Sequence, residues 1–227
     1  MAKTIIVGGY GVGISAAVAE KFGAEGFAVA LVARSAERLA EGVKALEAKG
    51  IKAAAFPADL AAPAAVKTLV GKVREKLGPI SALLWNAYSG AAGDLLTADA
   101  AAVHAAFDVA VTGLLTAVQE ALPDLKAEKG AVLVTNGGLL VNDPTVDEMA
   151  VKWNAMGLAM VNAAKHKLVG LLSAKLKPDG VYVGEVIVKG TVKGTAWDTG
   201  NANIEGSTVA QKFWDLYSTR TETVGHI

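Results

Sequence analysis

The feature that most constrains the fold of this chain is a glycine-rich turn between an apolar run and a helical pattern. The run Lys3-Thr4-Ile5-Ile6-Val7 leads into Gly8-Gly9-Tyr10-Gly11-Val12-Gly13-Ile14-Ser15, a helical pattern covers 16–22, and a second apolar run covers 27–32. Without a ligand these glycines would make only a tight turn. Between a strand and a helix, however, they let the backbone approach a pyrophosphate that the helix N-terminus attracts. The order therefore predicts a dinucleotide-binding βαβ unit.

The residue at the end of the second strand indicates which nucleotide binds. An NAD site usually has an Asp or Glu there to hold the ribose 2′-hydroxyl, whereas a nearby Arg accommodates the 2′-phosphate of NADP. This chain has Arg34 at that place and no acidic residue before Glu37, with Arg38 one turn further on. The alternative is that Arg34 is a surface arginine without a ligand. The sequence predicts NADP, with NAD the less favoured cofactor.

Composition excludes several other classes of function. Lys and Arg number 22 and so do Asp and Glu, so nothing favours nucleic acid or a charged membrane surface as a partner. The chain has no cysteine, which excludes disulfides and thiol catalysis, and its scattered histidines predict no metal site. The first strand follows Met1 at once and no long apolar stretch lacks polar interruptions. We therefore expect no signal peptide, no membrane span and a cytoplasmic location.

Strands and helices alternate along the rest of the chain. Strands are predicted at 52–56, 80–85, 131–135 and 181–188 with an edge strand at the C-terminus, and helices at 36–49, 63–77, 100–125, 147–176 and 207–218. This alternation predicts an α/β fold, a doubly wound Rossmann-type three-layer sandwich with a mainly parallel sheet of six to seven strands. A single NAD(P)-binding domain spans 1–227. Within it, 191–206 is rich in Gly, Thr and Asn and is expected to cover the substrate and cofactor cleft.

With these elements in order, the chain resembles the short-chain dehydrogenase/reductase family over essentially its whole length. The resemblance rests on the glycine loop and on the following motifs: Ala58-Asp59-Leu60, Trp85-Asn86-Ala87-Tyr88, Gly113, Leu122-Pro123, Lys177-Pro178-Asp179-Gly180-Val181-Tyr182-Val183 and Lys189-Gly190. It implies an NADP-dependent oxidoreductase acting on a small carbonyl or alcohol. It also implies a homodimer or homotetramer formed through the two long helices, 100–125 and 147–176. The residues expected to contact the cofactor are Gly9, Tyr10, Gly11, Val12, Gly13, Ile14, Arg34, Asp59, Leu60, Asn86, Ala87, Asn136, Gly190, Val192 and Thr195.

The catalytic positions of the family hold other residues in this chain. Members of the family carry Asn, Ser, Tyr and Lys, of which the Tyr exchanges the substrate proton and the Lys lowers the pKa of that Tyr. Alignment of the flanking residues places these positions on Ala110, Gly137, Leu158 and Asn162. A leucine has no acidic proton and cannot act as a general acid or base.

Three residues remain as candidates for the chemistry. A shift of three residues would place the family's Lys on Lys165 and its Tyr on Val161, and Lys165 shares a helix face with Asn162. The alternative is that Lys165 belongs to a solvated polar patch. Tyr88 follows the fourth strand and either supplies a hydroxyl or packs over the cofactor. The catalytic candidates are therefore Lys165, Asn162 and Tyr88.

The missing tyrosine leaves hypotheses of different classes open. The first is an oxidoreductase in which water, Tyr88 or Lys165 handles the proton, since the cofactor itself carries the hydride chemistry. The second is a cofactor-binding sensor or regulatory protein without turnover. A third is a lyase or isomerase on the same scaffold, because fold does not fix function.

Overall fold

The computed structural model describes residues 3–90 and 92–227 and contains one seven-stranded sheet. The strands are β1 (Thr4–Gly8), β2 (Ala28–Ala33), β3 (Ala53–Pro57), β4 (Ile80–Trp85), β5 (Ala131–Gly137), β6 (Tyr182–Val188) and β7 (Val224–His226). The helices are α1 (Ile14–Ala24), α2 (Ala36–Glu47), α3 (Pro63–Leu77), α4 (Ala100–Phe107), α5 (Gly113–Ala127), α6 (Pro144–Lys152), α7 (Met156–Leu176) and α8 (Gly206–Thr219). All paired strands are parallel, in the order β3-β2-β1-β4-β5-β6-β7, which confirms the predicted doubly wound fold.

The sheet is buried on both faces because its strands are almost entirely apolar. One face packs against α3, α5 and α7, and the other against α1, α2 and α8. The strand order reverses between β1 and β4, so their connections leave in opposite directions and open a crevice at the carboxyl ends of these strands. The glycine loop after β1 lies at this crevice.

The predicted helix at 147–176 is wrong in its continuity, since the structure has α6 and α7 with a break between them. Asn154 adopts a φ of 51°, which is outside the helical region. The loop before α4 then takes over the first N–H groups of α7: Met156 donates to the carbonyl of Gly93 and Gly157 to that of Ala92, each at 2.9 Å. Asp143 caps α6 by accepting from the N–H of Thr145 at 2.9 Å.

The predicted helix at 100–125 is also more complex than expected. A π-helical turn, Asp108–Thr112, separates α4 from α5, and α5 runs on to Ala127 past Pro123. Within the described residues one helical segment, Ala100–Ala127, is long and apolar enough to cross a membrane. Within one chain, 39% of its most apolar window is buried. Leu114, Ala117 and Ala121 pack on the sheet, as in a core helix.

Candidate cofactor and active site

The glycine loop adopts backbone conformations that require glycine. Gly9 has a φ of +81°, and a Cβ there would lie 2.6 Å from the amide nitrogen of Ala87. Gly13 has a φ of +83°, and a Cβ there would lie 2.6 Å from the Cγ2 methyl of Thr195. The Ser15 hydroxyl accepts from the N–H of Gly11 at 2.9 Å and donates to its carbonyl at 3.1 Å. The loop is therefore narrow and fixed, with the N-terminus of α1 behind it.

Tyr10 is partly buried, because it packs against α2. Its N–H donates to the carbonyl of Val32 at 2.8 Å, and its ring covers Gly42 on α2, where a Cβ would lie 2.5 Å from the Tyr10 hydroxyl oxygen. Burial raises the pKa of Tyr10 above its usual value. The ring thus fixes the loop against α2, and a contact with the cofactor stays a prediction.

Arg34 is an exposed residue directly after β2, before Ser35 caps α2. Its guanidinium forms no hydrogen bond or ion pair with any residue in the described parts of the chain. Asp59 lies after β3, and its carboxylate accepts from the N–H of Ala61 at 3.0 Å. Since Gly8 pairs with Val32 and β2 pairs with β3, the glycine loop, Arg34 and Asp59 lie at one edge of the sheet.

The turn after β4 is tied to the glycine loop. The N–H of Asn86 donates to the carbonyl of Gly8 at 2.8 Å, and its side-chain amide donates to the carbonyl of Gly9 at 3.4 Å. Ala87 is buried under Gly9. Leu60 is buried in the same apolar cluster as Ala87, and its carbonyl oxygen occupies the place that a Cβ on Gly113 would need.

The segment 191–206 lies on the glycine loop. Val192 forms a β-bridge with Ile204, and Gly190 leaves room for the Ile204 side chain. The Thr195 methyl contacts Gly13, and Thr195 Oγ1 donates to the carbonyl of Val192 at 2.7 Å. The segment thus has the position expected of a cover, and its role toward a ligand stays a prediction.

Tyr88 lies on the exposed rim of the site. Its side chain is 44% exposed, and its hydroxyl accepts from the indole N–H of Trp197 at 3.1 Å. This contact joins the turn after β4 to the segment 191–206. The phenol is therefore accessible from the solvent but already holds one hydrogen bond.

The positions that align with the family's catalytic residues converge in pairs. Ala110 is fully buried in the π-helical turn and belongs to an apolar cluster with Val161 and Leu158 of α7. A Cβ on Gly137 would lie 3.0 Å from the side-chain nitrogen of Asn162. The structure thus places Ala110 beside Leu158 and Gly137 beside Asn162, and the role of each residue stays a prediction.

Lys165 lies in a buried polar cluster, so its interpretation as part of a solvated patch is wrong. Its side chain is 3% exposed, because α7 turns it toward the sheet. Burial lowers the pKa of Lys165 to about 8, and the negative charge of Glu185 opposes that shift. His166, the next residue, remains half-exposed.

Glu185 on β6 is the member of this cluster that sequence reasoning missed. It is fully buried, and its Oε2 accepts from Asn136 Nδ2 at 3.1 Å while its Oε1 contacts His166 Nδ1. Asn136 Nδ2 also donates to the carbonyl of Asn162 at 3.1 Å. The available signal was a single carboxylate within an otherwise apolar strand, since buried charges are almost always paired.

The comparisons with known proteins agree with this fold. The short chain dehydrogenase family model matches residues 3–198. The chain is 32% identical over 187 residues to meso-2,3-butanediol dehydrogenase of Serratia marcescens, covering 81% of this chain and 69% of that protein. It is 32% identical over 178 residues to cis-2,3-dihydrobiphenyl-2,3-diol dehydrogenase of Paraburkholderia xenovorans, covering 75% and 58%.

A solved structure extends the likeness to nearly the full chain. The crystal structure of a short chain dehydrogenase from Burkholderia cenocepacia J2315 in complex with NADP has a TM-score of 0.86 and 27% sequence identity, and the match covers 99% of this chain and 96% of that chain. With the family model matching most of its length, this chain belongs to the short-chain dehydrogenase family of oxidoreductases.

Proposed function

We propose that this protein is an NADP-dependent oxidoreductase that interconverts a small carbonyl compound and its alcohol. The observation that carries the proposal is the exposed guanidinium of Arg34, which has no partner among the described residues and follows the strand beside the glycine loop. A free cation at the end of the second strand suits the 2′-phosphate of NADP and would be unneeded for NAD. The related structure in complex with NADP supports this choice.

The residues present fit such a cofactor. The positive φ of Gly9 and Gly13 keeps side chains away from the loop, and the first N–H groups of α1 point at an anion held there. Arg34 binds the 2′-phosphate, and Asp59 contacts the adenine as the family resemblance implies. When bound, the nicotinamide supplies the hydride chemistry.

The substrate oxygen needs a hydrogen bond and a proton. We propose that the side-chain amide of Asn162, next to Gly137, donates the hydrogen bond that orients this oxygen. Tyr88 and Lys165 are the proton-carrying candidates. Tyr88 would act from the rim, whereas Lys165 exchanges its proton near neutral pH because its pKa is about 8.

A titration followed by cofactor fluorescence tests the cofactor half of the proposal. We expect micromolar binding of NADPH and much weaker binding of NADH. Arg34→Ala should reduce this preference about tenfold, since one charge-assisted phosphate contact is lost. Lys44→Ala removes an exposed charge from α2 with no described partner and serves as the matched control. Equal affinity of the wild-type protein for NADPH and NADH would contradict the assignment of Arg34 to the 2′-phosphate.

A binding protein without turnover is the second candidate function. It is favoured by Ala110 and Leu158, which form an apolar cluster where the family has proton-handling and supporting side chains. NADPH oxidation in the presence of a panel of aldehydes and ketones separates the two candidates. Tight NADPH binding with no oxidation across the panel would favour the sensor or regulatory function.

We also propose a homodimer or homotetramer formed through the helices at 100–127 and 156–176. Only 39% of the most apolar window of Ala100–Ala127 is buried within one chain, so much apolar helix surface remains uncovered. Leu171 on α7 is 58% exposed. Sedimentation at micromolar concentration checks the assembly, and a monomer there would contradict it.

A further inference from the structure

A buried carboxylate in the sheet is the part of this site that the family resemblance does not use. Glu185 is 0% exposed, and on the same face of β6 its neighbour Val183 lies in the apolar core. Burying a charge without partners costs several kcal/mol, so a carboxylate persists there only if its surroundings compensate it. The partners of Glu185 therefore indicate its role.

The first partner is an amide that joins β5 to α7. Asn136 Nδ2 donates to Glu185 Oε2 and to the carbonyl of Asn162, each at 3.1 Å, and Asn136 Oδ1 accepts from the N–H of Gly137 at 3.1 Å. Because both amide protons and the oxygen are engaged, the side chain has one orientation. Through this amide Glu185 is linked to the backbone of Asn162, beside Gly137 in the candidate site.

The charged groups around Glu185 come from α7. Lys165 is buried one helical turn beyond Asn162, and Glu185 favours its charged form. His166 Nδ1 contacts Glu185 Oε1 and, with Lys167, lines a cavity of about 440 Å³ that reaches Glu185. The residues that β5 and β7 bring to this carboxylate and its cavity are uncharged.

We propose that Glu185 is a positioning residue of this active site: its carboxylate orients the Asn136 amide that binds the carbonyl of Asn162, it lies beside the turn of α7 that buries Lys165, and His166 connects it to solvent. The proposal rests on the oxidoreductase function above, because it gives Glu185 a part in that site. An ammonium maintained one turn from Asn162 places an exchangeable proton near the residue that orients the substrate oxygen.

Two substitutions separate the effect of the negative charge of Glu185 from the effect of its side-chain length. Glu185→Gln keeps an acceptor for Asn136 and a group that can pair with His166, but it removes the negative charge. Glu185→Asp keeps the charge and withdraws the carboxylate by one methylene. NMR of ¹³C,¹⁵N-labelled lysine, assigned with Lys165→Met, measures the pKa of Lys165 in the protein without cofactor.

We expect the pKa of Lys165 to fall by about 1 unit in Glu185→Gln and to stay within about 0.5 unit of wild type in Glu185→Asp. With a substrate found in the carbonyl panel, Glu185→Asp should lower kcat about tenfold while the Kd for NADPH changes less than about twofold. For carbonyl reduction, in which the ammonium supplies the proton, the alkaline limb of the kcat pH profile should follow the Lys165 pKa in Glu185→Gln. Glu222→Gln, an exposed carboxylate before β7 paired with Lys212, is the control and should change none of these quantities.

An unchanged Lys165 pKa in Glu185→Gln would overturn the proposal. If that variant does not fold, Glu185→Asp with wild-type kcat would overturn it instead. Wild-type protein that binds no NADPH would contradict the proposed function. The Lys165 pKa measurement needs no cofactor, so it would still test whether the Lys165 pKa depends on Glu185.

Discussion

Gly13→Ala tests whether the glycine loop depends on the backbone geometry described above. Gly13 precedes α1 with φ 83° and ψ −118°, a region that only glycine occupies readily. An alanine there costs about 2 kcal/mol in backbone strain, and its Cβ, 2.6 Å from Thr195 Cγ2, adds about 1 kcal/mol of overlap. We expect the free energy of unfolding to fall by about 3 kcal/mol.

Urea denaturation of wild type, Gly13→Ala, Thr195→Ser and the double variant separates the backbone strain from the overlap with the Thr195 methyl. Thr195→Ser removes the Cγ2 methyl but keeps the hydroxyl that donates to the carbonyl of Val192. Gly13→Ala should therefore cost about 1 kcal/mol less in the Thr195→Ser background than in wild type. NADPH affinity should fall together with stability in Gly13→Ala, because the strained turn no longer presents its N–H groups in the same direction.

Gly11→Ala is the matched control within the same loop. Gly11 has no positive φ, and a Cβ there would meet no atom of residues 3–90 and 92–227 within 4 Å. Its free energy of unfolding should stay within about 0.5 kcal/mol of wild type. The reasoning would be refuted if Gly13→Ala unfolded like Gly11→Ala, or if Thr195→Ser gave no relief.

Other predictions concern charge and hydrogen bonding. The pKa of Lys165 is about 8 in the folded protein, whereas a lysine in the unfolded chain has its ordinary pKa of about 10.5. Between these pH values the unfolded chain binds more protons, so this group's contribution to stability should rise from pH 8 to 9.5. Lys165→Met should remove that rise in urea unfolding. Tyr88→Phe and Trp197→Phe remove the same exposed hydrogen bond; each should change stability by less than about 0.5 kcal/mol, and a kcat loss confined to Tyr88→Phe would identify Tyr88 as the proton carrier. Asp124→Ala removes both the 2.8 Å ion pair with Arg74 and the acceptor for the first N–H of β4, and should cost about 2 kcal/mol in thermal unfolding; a loss below about 0.5 kcal/mol would contradict it.

The parts of the structure that the sequence predicted are those set by local patterns. Apolar runs and helical periodicity gave the strands and most helices, because each depends on neighbours within a few residues. The break at Asn154 could not be predicted in this way. It depends on the carbonyls of Ala92 and Gly93, more than sixty residues earlier, which replace the helical partners of Met156 and Gly157.

Burial explains why the polar cluster was missed while the glycine loop was found. A glycine loop is defined by backbone conformation, which glycine spacing encodes directly. Glu185 lies in a strand whose sequence is an apolar run. Its contacts with Asn136 and His166 follow no periodic spacing along the sequence that could have predicted them. The partners come from β5 and α7, which only the parallel order of the sheet brings together.

The surroundings of α7 favour one of the two alignments considered for the family's lysine, although both stay predictions. A Cβ on Gly137, where the family has its serine, would lie 3.0 Å from the side-chain nitrogen of Asn162, whereas Lys165 lies buried a turn further along, where the negative charge of Glu185 acts on it. A lysine held near a buried carboxylate has a different task from one held against a ribose, because its charge depends on that carboxylate as well as on the cofactor. If Lys165 carries the proton, its supply therefore depends on a residue whose ionisation the sheet controls, whereas a proton carried by Tyr88 would not.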